Sequence, residues 1–208
     1  LFVGDHSSTN VSAQDWQKYK AVAQIISRCP VFPNNIKQFY ISVSRQLIEL
    51  LLANETQVSH HVIRAIGAAV QELTNQQPEL MQDVCLSHLL HPLLRLSCDA
   101  DSLLLKDGQI LLPEETFTQC TVCLHRLFVI GQEPQSSLLS KLHKVSRILV
   151  SVYFLAKNRV SLIKSLSADL IKAYLGYCET AEAARFLMSL VLTGKDDVQE
   201  CPAIGSTV

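Results

Sequence analysis

The chain has 208 residues, 18 Lys and Arg against 19 Asp and Glu for a formal charge of −1, and 48% of it is hydrophobic. That length allows one sizeable core or a short run of stacked helix pairs, and the near-zero charge excludes the bulk electrostatic pull with which most nucleic-acid binders neutralise phosphates. Seven cysteines, an odd number without the paired spacing of small secreted domains, predict reduced, mostly buried thiols in a cytosolic setting.

The chain opens on Leu1 with no initiator methionine, so it is read as an internal portion of a longer protein. Ser12, with Asp15 three residues on, caps a first helix whose face is Trp16, Tyr19, Ala23 and Ile26. Pro30 and Pro33 break that pattern, because neither has an amide proton and each pushes its predecessor out of helical geometry. A second helix runs to about Ala53 on the stripe Phe39, Val43, Leu47 and Leu50, with Lys37, Ser44 and Arg45 turned to solvent. Thr56 caps a third, buried along Val58, Val62, Ala65, Ile66, Ala69 and Leu73. Pro78 opens a fourth, carrying Leu80, Val84, Leu89, Leu93 and Leu94, and Pro92 bends or splits it near His88.

Residues 98–112, with Asp99, Asp101 and the Asp107-Gly108 pair, read as a surface loop. Pro113-Glu114-Glu115 starts a fifth helix, with acids where the dipole is positive, on the face Phe117, Thr121, Leu124 and Phe128. In Phe128-Val129-Ile130-Gly131-Gln132-Glu133-Pro134, Gly131 ends that helix in a left-handed conformation and Pro134 opens the sixth, on Leu138, Leu142, Val145, Leu149 and Val152. Ser161 starts a seventh with Ile163, Leu166, Leu170 and Tyr174, Thr180 an eighth that stops at Gly194, and residues 195–208 read as a flexible tail.

Helix starts at 33 and 78, and at 113 and 160, lie about 45 residues apart, near the length of a two-helix HEAT or armadillo unit. The predicted fold is therefore all-α: a HEAT/armadillo-like α-solenoid of antiparallel pairs, about eight helices forming one segment over 1–208. A compact irregular bundle is the competing arrangement.

Catalytic and cofactor signatures are missing from the pattern, and no cofactor is expected. Glycines at 4, 67, 108, 131, 176, 194 and 205 never cluster as a phosphate-cradling loop requires. Cys120 and Cys123 with His125 resemble half a zinc site, and Cys85, His88 and His91 step round the fourth helix too widely for one ion; core packing and ordinary partly buried residues are the simpler readings. His60 and His61 read as solvent-facing. The apolar run from Ile148 to Ala156, bounded by Arg147 and Lys157, is far shorter than the roughly 20 residues of a membrane-spanning helix.

Charge is unevenly distributed. From Lys141 to Lys172, seven bases (Lys141, Lys144, Arg147, Lys157, Arg159, Lys164, Lys172) face one acid, Asp169, whereas the stretch from Glu72 to Glu115 carries eight acids against Arg95 and Lys106. Lys144 and Arg147 lie opposite the Leu138, Leu142, Leu149 stripe and so face outward. Lys144, Arg147, Lys157, Arg159 and Lys164 form either a partner-binding basic edge or a solvated face through which successive layers attract one another.

Several of these features also carry a family likeness: Phe39-Tyr40 leading to Gln46-Leu47, Pro78-Glu79-Leu80 with Pro92-Leu93 downstream, Glu114-Glu115, the joint from Phe128 to Pro134, Val160-Ser161, and Ser165-Leu166 leading to Leu170. From about Trp16 to Val191 the sequence resembles the transport and Golgi organisation protein six family, whose fungal relatives are factors required for nuclear transport of RNA polymerase II. The resemblance implies a large non-enzymatic HEAT-like scaffold with protein partners, among them RNA polymerase II subunits and the transport or coat machinery. It also implies a cytoplasmic place, peripheral to Golgi or other secretory membranes, and it brings no catalytic residues.

Overall fold

A computed structural model describes residues 13–28, 35–53, 58–97, 112–131, 136–156 and 161–193. These residues form eight helices and no strand. Helix α1 is Ala13–Ile26, α2 is Ile36–Leu52 and α3 is His60–Gln76. Helix α4 is composite: Pro78–Met81, a π-helical stretch Gln82–Leu86, then Ser87–Leu94 and a closing 3-10 turn Arg95–Ser97. Helix α5, Glu114–His125, continues into a second π-helical stretch, Arg126–Gly131. Helices α6 (Ser136–Leu155), α7 (Leu162–Tyr177) and α8 (Thr180–Thr193) complete the order. The expected caps Ser12 and Thr56, the proline Pro134, the loop 98–112 except Leu112, and the tail 195–208 lie outside the described residues.

Each helix packs on the next but one. Helix α1 lies on α3, α2 on α4, α3 on the π-helical end of α5, α4 on α6 and α5 on α7; α6 meets α8 where the rings of His143 and Phe186 approach to 6.1 Å. Contacts between neighbours, α2–α3, α3–α4, α4–α5 and α6–α7, fill the rest of the ladder. Stacked layers of helix pairs produce this pattern, because each layer must bury its apolar stripe on the layer before it. The fold is an all-α solenoid, and its buried side chains form a cluster from Tyr19 in α1 to Phe186 in α8.

The stripes of the later helices fall where the spacing predicts. Phe117, Thr121, Leu124 and Phe128 are buried, as are Leu138, Leu142, Val145, Leu149 and Val152, and Ile163, Leu166, Leu170 and Tyr174. Pro113 stands immediately before α5, and its carbonyl accepts the Phe117 amide at 3.1 Å.

Four expectations are corrected. In α2 the buried set is Tyr40, Ser44, Leu47 and Leu51, one residue round from the predicted stripe, and Leu50 is 42% exposed. Ser44, expected in solvent, is buried with its hydroxyl 3.6 Å from Met81 Sδ and in hydrogen-bond reach of the Cys85 thiol; soft sulfur acceptors satisfy its polarity inside the core. In α3 the single predicted face becomes nearly the whole circumference, since Ile63, Gly67, Ala68, Val70, Gln71 and Thr74 are buried as well, whereas Val62 is exposed. Packing on both sides overrides the stripe.

The third correction concerns Pro92, which lies inside the α-helical stretch Ser87–Leu94, the irregularity sitting some two turns earlier at Gln82–Leu86. There the Ser87 amide and, at 2.6 Å, its hydroxyl both donate to the Gln82 carbonyl. The fourth concerns Gly131, whose backbone is not left-handed. It is the last residue of the π-helical stretch and runs close to α3: a methyl group there would lie 3.7 Å from the Cα of Gly67 and 3.2 Å from the Arg126 carbonyl. The tight neighbour is the Arg126 carbonyl of its own π-helical stretch, while the approach to Gly67 is an ordinary backbone contact, so local crowding rather than a left-handed turn disfavours a side chain here.

Candidate functional site

Helix α6 carries its apolar stripe inward, and this alone fixes Lys144 and Arg147 on the opposite, exposed side. Helix α8 comes alongside that side because Phe186, 3% exposed, inserts between Tyr174 of α7, at a ring separation of 5.2 Å, and His143 of α6. The two helices leave between them a groove of about 480 Å3, lined by His143, Lys144 and Arg147 from α6 and by Glu182, Arg185, Phe186 and Ser189 from α8.

The floor of the groove is held by a hydrogen bond between the Tyr174 hydroxyl and His143 Nδ1. Burial, then the Glu182 carboxylate, then Cys178, push the Tyr174 phenol up to about 12. The phenol therefore keeps its proton at neutral pH and shares a hydrogen bond with the ring nitrogen. The walls are cationic. Lys144, Arg147 and Arg185 are exposed, and among the described residues none of them has a carboxylate within ion-pair distance. Such an arrangement can hold carboxylates through charge-assisted hydrogen bonds.

Of the predicted basic edge, the structure brings Lys144 and Arg147 together at this groove. Lys164 sits half-buried in the first turn of α7 and does not line it, and Lys157 and Arg159 lie outside the described residues. Arg185 belongs with the cations of α6, yet a charge count stopping at Lys172 overlooks it. The signal was present in the i, i+3 pair Glu182 and Arg185 beside an aromatic residue.

The candidate metal clusters come apart. Cys85 is buried, whereas His88 and His91 are exposed. Cys120 and Cys123 are both buried, His125 is directed to Asp169 at 3.7 Å, and among the described residues no three His, Cys, Asp or Glu side chains converge. His60 and His61 are exposed as expected, but His61 Nδ1 and the Tyr19 hydroxyl of α1 share a hydrogen bond. No helix among the described residues is long and apolar enough to cross a membrane.

Residues 3–204 match a family model described as Transport and Golgi organization protein 6 homolog, ARM-like repeat. The chain belongs to that family. The likeness carried by the joint from Phe128 to Pro134 and its companion motifs is thereby borne out, and the ARM-like repeat accounts for the ladder of next-but-one helix contacts. An ARM-like repeat is a helical scaffold of a kind that generally mediates protein–protein interaction, and the family name ties it to transport and Golgi organization. No solved structure matches the chain.

Proposed function

We propose that this segment of the family is a non-enzymatic helical-repeat scaffold that holds other proteins along the basic edge Lys144, Arg147, Lys157, Arg159 and Lys164. Its setting is the cytoplasm, peripheral to Golgi or other secretory membranes. Its duties are secretory transport and Golgi organisation, together with cytoplasmic assembly and nuclear import of RNA polymerase II. Its partners are polymerase subunits and the transport or coat machinery. The observation that carries the reading is the exposure of Lys144 and Arg147 beside a groove, with no carboxylate paired to either among the described residues. The polymerase branch is supported by the likeness to the fungal transport factors.

The test is recovery of partners by the intact protein after Lys144, Arg147, Lys157 and Arg159 are changed together to Glu. Recovery falls while the melting temperature stays level; full recovery by this variant removes the edge from the function.

A second reading, a spacer within a longer array, is favoured by the apolar side chains that α8 leaves exposed, Met188, Val191 and Leu192 at 63–75%. A further helical layer would cover them. Under that reading the charge-reversed protein keeps its partners, and deleting residues 1–208 changes the shape of the whole molecule.

A further inference from the structure

We propose that the groove between α6 and α8 seats an acidic peptide segment of a partner protein, with Arg185 completing a three-cation cradle begun by Lys144 and Arg147. This rests on the basic-edge reading and narrows it to one site, one ligand chemistry and one residue that the edge does not contain.

Lys144 and Arg147 are i, i+3 neighbours on one helix face, so their like charges repel and a bound anion would relieve that repulsion. Arg185 approaches from the other wall. Its Nε–H is committed to the Ala181 carbonyl at 3.2 Å, while its terminal amino groups make no hydrogen bond among the described residues. A planar fork held at its base is suited to grip a carboxylate with both ends. The floor is preformed, because Phe186 is wedged against Tyr174 and His143, and Tyr174 is bonded to His143. Little ordering is left for binding to impose.

A peptide fits better than an anionic membrane. The cations line a concave space of about 480 Å3, where a chain can enter but a bilayer surface cannot follow. Glu182 stands within the same groove and would repel a continuous sheet of phosphates, whereas a peptide can meet it with a lysine or a backbone amide. The expected ligand is therefore rich in Asp and Glu, with a donor placed opposite Glu182.

The test uses the full chain and a fluorescent peptide of about twelve residues, Glu and Asp interspersed with Leu and one Lys, long enough to span several turns of α8. Its Gln and Asn counterpart and phosphatidylserine vesicles are the comparison probes. The acidic peptide binds, affinity falls with added salt, and it drops about tenfold in Arg185→Glu and again in Lys144→Glu/Arg147→Glu. Lys37→Glu, on the exposed side of α2, leaves it unchanged. Equal binding of the uncharged peptide, indifference to Arg185→Glu, or capture of vesicles without capture of peptide overturns the proposal. So does binding that appears only after residues 194–208, which carry Asp196, Asp197 and Glu200, are removed, since the groove's occupant would then be this chain. If partner recovery falls with Lys157→Glu/Arg159→Glu but not with Arg185→Glu, the edge stands and the groove fails.

Discussion

Arg126, near the end of α5, donates a hydrogen bond at 2.7 Å to the carbonyl of Ala53, the residue that closes α2, and the same guanidinium nitrogen also reaches the Leu51 carbonyl. The side chain is 5% exposed. A cation at a helix C-terminus meets the negative end of the dipole and satisfies carbonyls that the helix itself cannot. Replacing Arg126 by Met keeps most of the apolar contact but strips both carbonyls of their donor. The expected loss is about 2–3 kcal/mol, read as a lower urea midpoint. A loss below about 0.5 kcal/mol would mean that water takes over the guanidinium's role.

Gly131 should tolerate one carbon and no more. The nearest atoms to an added methyl are the Arg126 carbonyl oxygen at 3.2 Å, which must give by a few tenths of an ångström, and Gly67 Cα at an ordinary 3.7 Å, so Gly131→Ala is expected to cost up to about 1 kcal/mol. Gly131→Leu must part α5 from α3 and is expected to cost about 1–3 kcal/mol. Thermal melting of the two variants checks this, and equal melting temperatures would show that the crossing has room to spare.

The Ser167 hydroxyl is fully buried in α7 without a hydrogen-bond partner among the described residues. An orphaned polar atom in the core costs free energy that an alanine would not, so Ser167→Ala is expected to leave stability unchanged or raise it by about 1 kcal/mol. A clear loss in chemical denaturation would place an ordered partner at that oxygen.

Alkaline pH should unfold the chain earlier than its acids and bases alone suggest. Burial pushes the Cys85 and Cys123 thiols up to about 12 from an ordinary value of 9.0, and the Tyr174 phenol up to about 12 from 10.0. The folded state thus holds protons that the unfolded chain releases. Stability from these groups is complete below about pH 9 and is lost as pH rises towards about 12. The urea midpoint is expected to fall between pH 9 and 11 and to fall less steeply in Cys85→Ala/Cys123→Ala. A flat profile to pH 11 contradicts the burial of these thiols. At pH 8 both should also react slowly with thiol reagents.

Legibility in the sequence followed the environment of each helix. In α6 and α7 the 3.6-residue spacing identifies most of the buried residues directly, from Leu138 to Tyr174, whereas in α5 the stripe Phe117, Thr121, Leu124 and Phe128 is buried together with Cys120, Cys123, Arg126 and Leu127. Spacing fails in α3, which is enclosed on most sides, and in α2, where Ser44 finds sulfur partners that no periodicity reveals. Turn chemistry misleads at Gly131, because a glycine before a polar stretch looks the same whether it serves a left-handed cap or a crowded turn. Lys144 and Arg147 were readable as outward-facing cations. The groove was not, since it depends on Phe186 anchoring α8 across α6, a contact between residues 43 positions apart (143 and 186).

The two π-helical stretches bear on how this family can change length. Each widened turn, Gln82–Leu86 and Arg126–Gly131, accommodates one residue more than a regular coil would. Losing a single residue from either would tighten the turn to ordinary pitch while both flanks kept their rotational phase toward their neighbours. One-residue gaps between relatives should therefore concentrate at these two places, whereas an equal deletion in the middle of α6 would swing half that helix by about 100° and turn its leucines out into water.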